Sequence, residues 1–199
     1  MRNLYVAFML LAFVSCKPEY LSPEALAAFV ADEENGCTKS ALVEETTITV
    51  TYRPTDLMAY QEAGDDPAEL ARVDSLRKKY DRYYYFSLSL SRDKKEALHQ
   101  TGREQYSDLV QTLSFRMAEY VTLTTAASDT IPVGDFMLNR TFGMSSSTVV
   151  LFVFSKEKAK GKEWIQFNLN EFGLGVGNQR FRFRTEDLDG VPKIKFKNS

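Results

Sequence analysis

From Arg82 to Ser91 the chain reads RYYYFSLSLS, a strict alternation that puts Tyr84, Phe86, Leu88 and Leu90 on one side and Tyr83, Tyr85, Ser87, Ser89 and Ser91 on the other. Side chains alternate faces with period two only in an extended strand, so this segment predicts a strand with one buried face. A sheet with one apolar face must be covered by a second layer, and that requirement constrains the rest of the chain. Further strands are expected at 43–52, where Ile48, Val50 and Tyr52 alternate with threonines, and at 136–141, 148–154, 164–171 and 179–184. The segment Thr148 to Phe154 (TVVLFVF) is apolar on both faces, as a central strand is.

Helical spacing appears mainly before residue 120. Ser22-Pro23 reads as an N-cap followed by proline at N1, opening a helix over 23–33, and Thr55 can start another through Glu62. Asp66-Pro67-Ala68-Glu69 resembles a capping box whose helix continues through Leu70, Val73, Leu76 and Tyr80. Tyr106, Leu109, Val110, Leu113, Met117 and Tyr120 share one face of a helix over 103–119. Helices early and strands late predict an α+β fold: an antiparallel C-terminal β-meander with helices from the N-terminal half packed on one face.

The length of 199 residues suits one such domain, and the 44% hydrophobic, 26% charged composition belongs to folded chains. Lys+Arg 25 against Asp+Glu 27 gives a net charge of −2, so no global field draws in nucleic acid.

The N-terminus reads as an address. Arg2 precedes an unbroken apolar run, Leu4 to Val14, that ends at Ser15-Cys16 and the polar Lys17-Pro18-Glu19. A membrane-spanning helix takes roughly 20 apolar residues, and this run is too short. It has the layout of a secretory signal peptide. Phe13-Val14-Ser15-Cys16 resembles the lipobox of bacterial lipoprotein precursors, with Phe13 where that family usually has an aliphatic residue. The resemblance implies a signal peptide over 1–15, Cys16 as the lipidated first residue of the mature chain with palmitate-type acyl chains, a short tether over 16–21, and one domain over 22–199. Several acyl chains bury enough methylenes to hold a protein on a membrane essentially permanently. Lys17, rather than an aspartate, follows Cys16, which by the same resemblance implies the outer membrane, facing the periplasm or the cell surface. In style the chain is similar to uncharacterised lipoproteins of the Bacteroidota. With Cys16 acylated, Cys37 has no partner for an intramolecular disulfide and is expected as a small buried hydrophobe.

Catalytic motifs are scarce. His99 is the only histidine and sits in a polar connection; G-x-S-x-G, P-loop, H-E-x-x-H and paired C-x-x-C patterns do not occur. Ser-x-x-Lys occurs at Ser75, Ser91 and Ser155 without companion motifs. Asp187-Leu188-Asp189-Gly190 is a fragment of a calcium loop lacking its bidentate glutamate, and no metal or cofactor is expected. Gly173-Leu174-Gly175-Val176-Gly177 joins two alternating strands and opens no helix, so a hairpin connection explains it better than a phosphate cradle.

The most suggestive feature is a face. If Ile165, Phe167 and Leu169 point inward, then Trp164, Gln166, Asn168, Asn170 and Phe172 point outward; if Phe181 and Phe183 point inward, Arg180, Arg182 and Arg184 join them. Aromatic, amide and guanidinium groups side by side suit a sugar, an anion or a protein partner. The ordinary alternative is a solvated sheet face whose arginines meet Glu163 or Glu186. The expectation is a non-catalytic, lipid-anchored accessory or binding protein with an envelope protein or glycan as partner. The alternative is an envelope hydrolase using two of Glu171, Glu186, Asp187 and Asp189, which would have to converge in a pocket with one raised pKa.

Overall fold

The computed structural model describes residues 19–64 and 72–196. The expected signal peptide, Cys16 and the Asp66-Pro67-Ala68-Glu69 capping box lie outside the described residues.

The fold is α+β with antiparallel sheets. Five strands, β2 (Thr38–Val43), β3 (Thr46–Tyr52), β4 (Tyr83–Arg92), β9 (Thr148–Ser155) and β8 (Asp135–Asn139), lie in that order, and β5 (Lys95–Glu96) adds a short sixth beside β4. A second sheet has the order β11 (Gln179–Arg184), β10 (Trp164–Leu169), β6 (Val121–Thr125) and β7 (Thr130–Pro132). The strands expected to form the C-terminal meander therefore enter as two hairpins, β8–β9 in the first sheet and β10–β11 in the second.

The alternation explains how the sheets meet. Phe86 of β4 and Phe152 and Phe154 of β9 are fully buried on the inner face of the first sheet, opposite Phe167 of β10 and Phe183 of β11. Ring centroids lie 5.9 Å apart for Phe86 and Phe167, 5.0 Å for Phe86 and Phe183, and 5.7 Å for Phe152 and Phe167, in tilted or edge-to-face arrangements. β9 is interior, as its composition requires, although only one of its faces is fully buried: Val149, Leu151 and Val153 are half-buried on the other.

Helices complete the cover. α1 (Pro23–Ala31) buries Leu26 and Val30 and begins where the Ser22 hydroxyl accepts from the Ala25 amide at 3.2 Å, the cap that the sequence predicts. α2 (Thr55–Ala63) packs beside α3 (Val73–Tyr80). The helix expected over 103–119 is α4 (Arg103–Gln111) followed by a π-helical turn over 112–116 and a 3₁₀ turn over 117–119, and Leu109, Leu113 and Met117 keep their common buried face. α5 (Thr185–Asp189) follows β11, and β12 (Lys193–Ile194) closes the described chain.

Three departures have local causes. β2 pairs with β3 through a Glu44-Glu45 turn with Glu44 at φ 51°, a turn without the glycine or asparagine that would have announced it. β6 follows the helical segment directly and pairs with β10. Tyr20 and Leu21, at the end of the stretch 16–21, form β1, which runs parallel to β12.

Candidate functional site

The inward residues of the second sheet are Ile165, Phe167, Leu169, Phe181 and Phe183, all buried. Period two then turns Trp164, Gln166 and Asn168 outward on β10 and Arg180, Arg182 and Arg184 outward on β11. The strand register sets these directly opposite one another: Trp164 with Arg184, Gln166 with Arg182, and Asn168 with Arg180. Six of the eight residues expected on this face thus form three adjacent rungs. Asn170 is exposed just beyond the end of β10, where its amide donates to the Tyr120 carbonyl at 2.8 Å. Phe172 is a correction: it is buried against Tyr120, because the strand ends at Leu169 and the alternation stops with it.

The rungs are wired together. The Arg182 guanidinium lies over the Trp164 indole, 4.0 Å from the ring centroid, and donates to Gln166 Oε1 at 3.2 Å. Gln166 Nε2 donates to Asn168 Oδ1 at 2.8 Å, and Asn168 Nδ2 donates to the Thr124 hydroxyl at 3.2 Å. Arg184 pairs with Glu186, and Arg180 is exposed with no ion pair among the described residues. A guanidinium has five donors; the Arg182 contacts use few of them, so the face presents planar, charged donors, with Arg182 held in place over Trp164 and Gln166. Such an array can bond carboxylates or phosphates bidentately, hydrogen-bond sugar hydroxyls, or anchor a protein interface.

The glycine-bearing turn between β10 and β11 belongs to the same unit. Gly173, Gly175 and Gly177 have φ of 105°, 82° and 63°, a region open to glycine, and Leu174 and Val176 between them point into the core. Their amides converge on the Glu171 carboxylate: Gly173 and Gly175 donate to Oε1 at 2.7 and 2.9 Å, and Gly177 donates to Oε2. The turn does cradle an anion, supplied by its own chain. Burial pushes the Glu171 carboxyl up, but these amides outweigh it and hold it below the ordinary carboxylate range. A general acid needs the opposite shift. Of the other carboxylates considered for hydrolysis, Glu186 is taken by Arg184, Asp187 packs against Gly36, and Asp189 is exposed beside the Lys156 groove.

His99 stands in a 3₁₀ turn with its Nε2 3.5 Å from Oε2 of Glu96 and its ring 5.3 Å from that of Tyr106. Glu96 is buried, and its other oxygen accepts from the Thr141 hydroxyl at 2.5 Å, the Gly143 amide at 2.8 Å and the Ser145 amide at 3.2 Å. Burial raises this carboxyl as well, and the three donors together with His99 bring it below its usual value. Reading His99 alone missed this arrangement; the Glu96-to-His99 spacing of one helical turn was its signal. Cys37 is fully buried. Among the described residues no cluster of three or more His, Cys, Asp or Glu side chains is arranged to hold a metal ion, and no helix is long and apolar enough to cross a membrane.

No family model matches the chain, and no curated protein does. Among solved structures, the chain is similar to a novel protein of unknown function from Burkholderia pseudomallei, at 11% identity and a TM-score of 0.38, over 86% of this chain and 94% of that one.

Proposed function

We propose that this protein is a lipid-anchored cell-envelope lipoprotein, held at the outer membrane through Cys16, and that it acts as a non-catalytic accessory or binding protein. Its partner, an envelope protein or glycan, meets the outer face of the β10–β11 hairpin. One observation carries this reading: the register sets Trp164, Gln166 and Asn168 opposite Arg184, Arg182 and Arg180, and hydrogen bonds hold the amides in place. Fixing the donors before a partner arrives lowers the ordering cost of binding. Arginine and tryptophan are also the residues that dominate interface energetics.

The test has two parts. The mass of the N-terminal peptide from envelope-extracted protein reports lipidation, which requires a diacylated or triacylated Cys16. Binding of the purified protein to isolated envelope glycan and to detergent-solubilised envelope proteins is then compared with that of an Arg180→Ala/Arg182→Ala/Arg184→Ala variant. Loss of the interaction in a folded variant supports the reading; unchanged binding and unchanged phenotype sink it.

A further inference from the structure

The chain is fastened to the body almost as soon as its described part begins. Tyr20 lies opposite Lys193 and Leu21 opposite Ile194, and the Lys193 amide donates to the Glu19 carbonyl at 3.0 Å. β12 is pinned in turn. The Ile194 amide donates to Asp56 Oδ2 at 2.6 Å, while Arg77 donates to both Asp56 oxygens at 2.8 Å and to the Ile194 carbonyl at 3.0 Å. Only Lys17 and Pro18 separate Cys16 from Glu19, a reach of about 10 Å even when fully extended. An anchor at Cys16 therefore holds this end of the molecule against the bilayer and leaves the domain little freedom to turn away.

That end carries lysine. Beside β1 lies an open groove of about 570 Å³ lined by Tyr20, Asp74, Lys78, Asp81, Lys193 and Lys195, among others. A second groove runs from Asp81 and Lys193 to Lys156, and a third from Asp81 and Lys156 to Lys160 and Lys162, so the three form one continuous surface. Asp81 pairs with Lys156 at 3.4 Å, Lys162 with Asp129 at 3.5 Å, and Arg77 is engaged by Asp56 and Asp74. Lys78, Lys160, Lys193 and Lys195 remain exposed and, among the described residues, make no ion pair; Asp189, Glu157 and Glu19, which adjoins Lys193, are the acids left beside them. Together the three grooves are lined by seven basic side chains against five acidic ones.

We propose that this lysine-bearing end is a membrane-contact surface that takes the phosphate groups of anionic lipid headgroups. The direction in which it faces rests on the lipid-anchor reading; the lysine surface itself does not. Basic residues near an anionic bilayer each contribute attraction that fades within a Debye length, about 8 Å at physiological ionic strength, and the short connection to Cys16 keeps them within range. The orientation bears on the binding face. Lys162 and Thr185, which line the third groove, adjoin the Trp164–Arg184 rung, so that rung stands nearest the membrane and the Asn168–Arg180 rung farthest from it.

The test uses the full chain carrying Cys16→Ala, which cannot be acylated there, and measures its partition onto phosphatidylglycerol-rich vesicles and onto phosphatidylcholine vesicles. Adding Lys193→Ala/Lys195→Ala is expected to lower partition onto the anionic vesicles by about 25-fold, at roughly fivefold per lysine. The N-terminal segment is the same in both proteins, so its contribution cancels. Lys94→Ala/Lys95→Ala, at the opposite end of β4, serves as the control and is expected to change nothing. Raising salt should abolish the difference. Equal partition onto both vesicle types, or equal loss in the control, overturns the proposal. An unacylated Cys16 in envelope-extracted protein with lysine-dependent binding intact would instead remove the anchor reading and leave this surface standing.

Discussion

The two C-terminal hairpins, β8–β9 and β10–β11, are built alike and finished differently. Each contributes phenylalanine to the shared core: Phe152 and Phe154 from the first, Phe167 and Phe183 from the second. Each has a connecting loop fastened by one carboxylate that accepts from alternate residues, Glu96 from Thr141, Gly143 and Ser145, and Glu171 from Gly173, Gly175 and Gly177. In the first loop the intervening Phe142 and Met144 are exposed; in the second, Leu174 and Val176 are buried. The outer faces differ as well. The first hairpin shows Met137 and Leu151 beside serines and threonines of β3 and β4, and the second shows Trp164 and the three arginines. A common core thus carries different outward chemistry on the two hairpins.

Eight substitutions sharpen or break that contrast. The largest effect should come from the core that the hairpins share. Phe152→Ala and Phe167→Ala are each expected to cost about 3–5 kcal/mol in chemical denaturation, and a loss below about 1 kcal/mol at either would show that the sheets do not depend on each other. Next come the loop carboxylates. Glu96→Ala leaves the Thr141 hydroxyl and two amides without their acceptor and should cost about 1–3 kcal/mol, more than Glu171→Ala at its exposed site.

The pH dependence follows from the same bonds. Both carboxyls are held below their ordinary value, so each contributes stability that is fully present above the unfolded value of about 4.3 and is lost as pH falls through the folded value. Glu96→Gln should flatten the acid limb of an unfolding curve and leave its shape near neutral pH unchanged.

Smaller again is Gly175→Ala. At φ 82° a Cβ is strained although nothing crowds it, and about 1–2 kcal/mol is expected by thermal unfolding. The smallest effects on stability are the most informative about function. Arg182→Ala on the second hairpin and Met137→Ala on the first should each lie within about 0.5 kcal/mol of the parent, while only Arg182→Ala weakens partner binding.

Wherever a strand had one strongly apolar face the sequence was readable. Tyr84, Phe86, Leu88 and Leu90 told which side of β4 is inside, and Phe181 and Phe183 did the same for β11, so the outward arginines followed from period two. Register was not readable, because it depends on where the turn closes; the exact opposition of Gln166 and Arg182 needed the structure. Phe172 was misplaced because the alternation was carried past the last paired residue, Leu169. The partition of the strands into two sheets was hidden for a related reason. Inward faces of both sheets look the same in sequence, and only pairing separates them. Glu96 was missed because its loop partners lie more than forty residues away, at Thr141, Gly143 and Ser145.

The claim that matters most is that the outer face of the second hairpin, and not that of the first, meets a partner. A photo-crosslinking residue placed at Gln166 and, separately, at Met137 in cells tests it most directly, with the cross-linked products from each site compared. The account predicts a discrete adduct from position 166 that disappears when Arg180 and Arg184 are replaced by alanine, and none from position 137. An adduct from 137 with none from 166 would contradict it and transfer the function to the apolar hairpin.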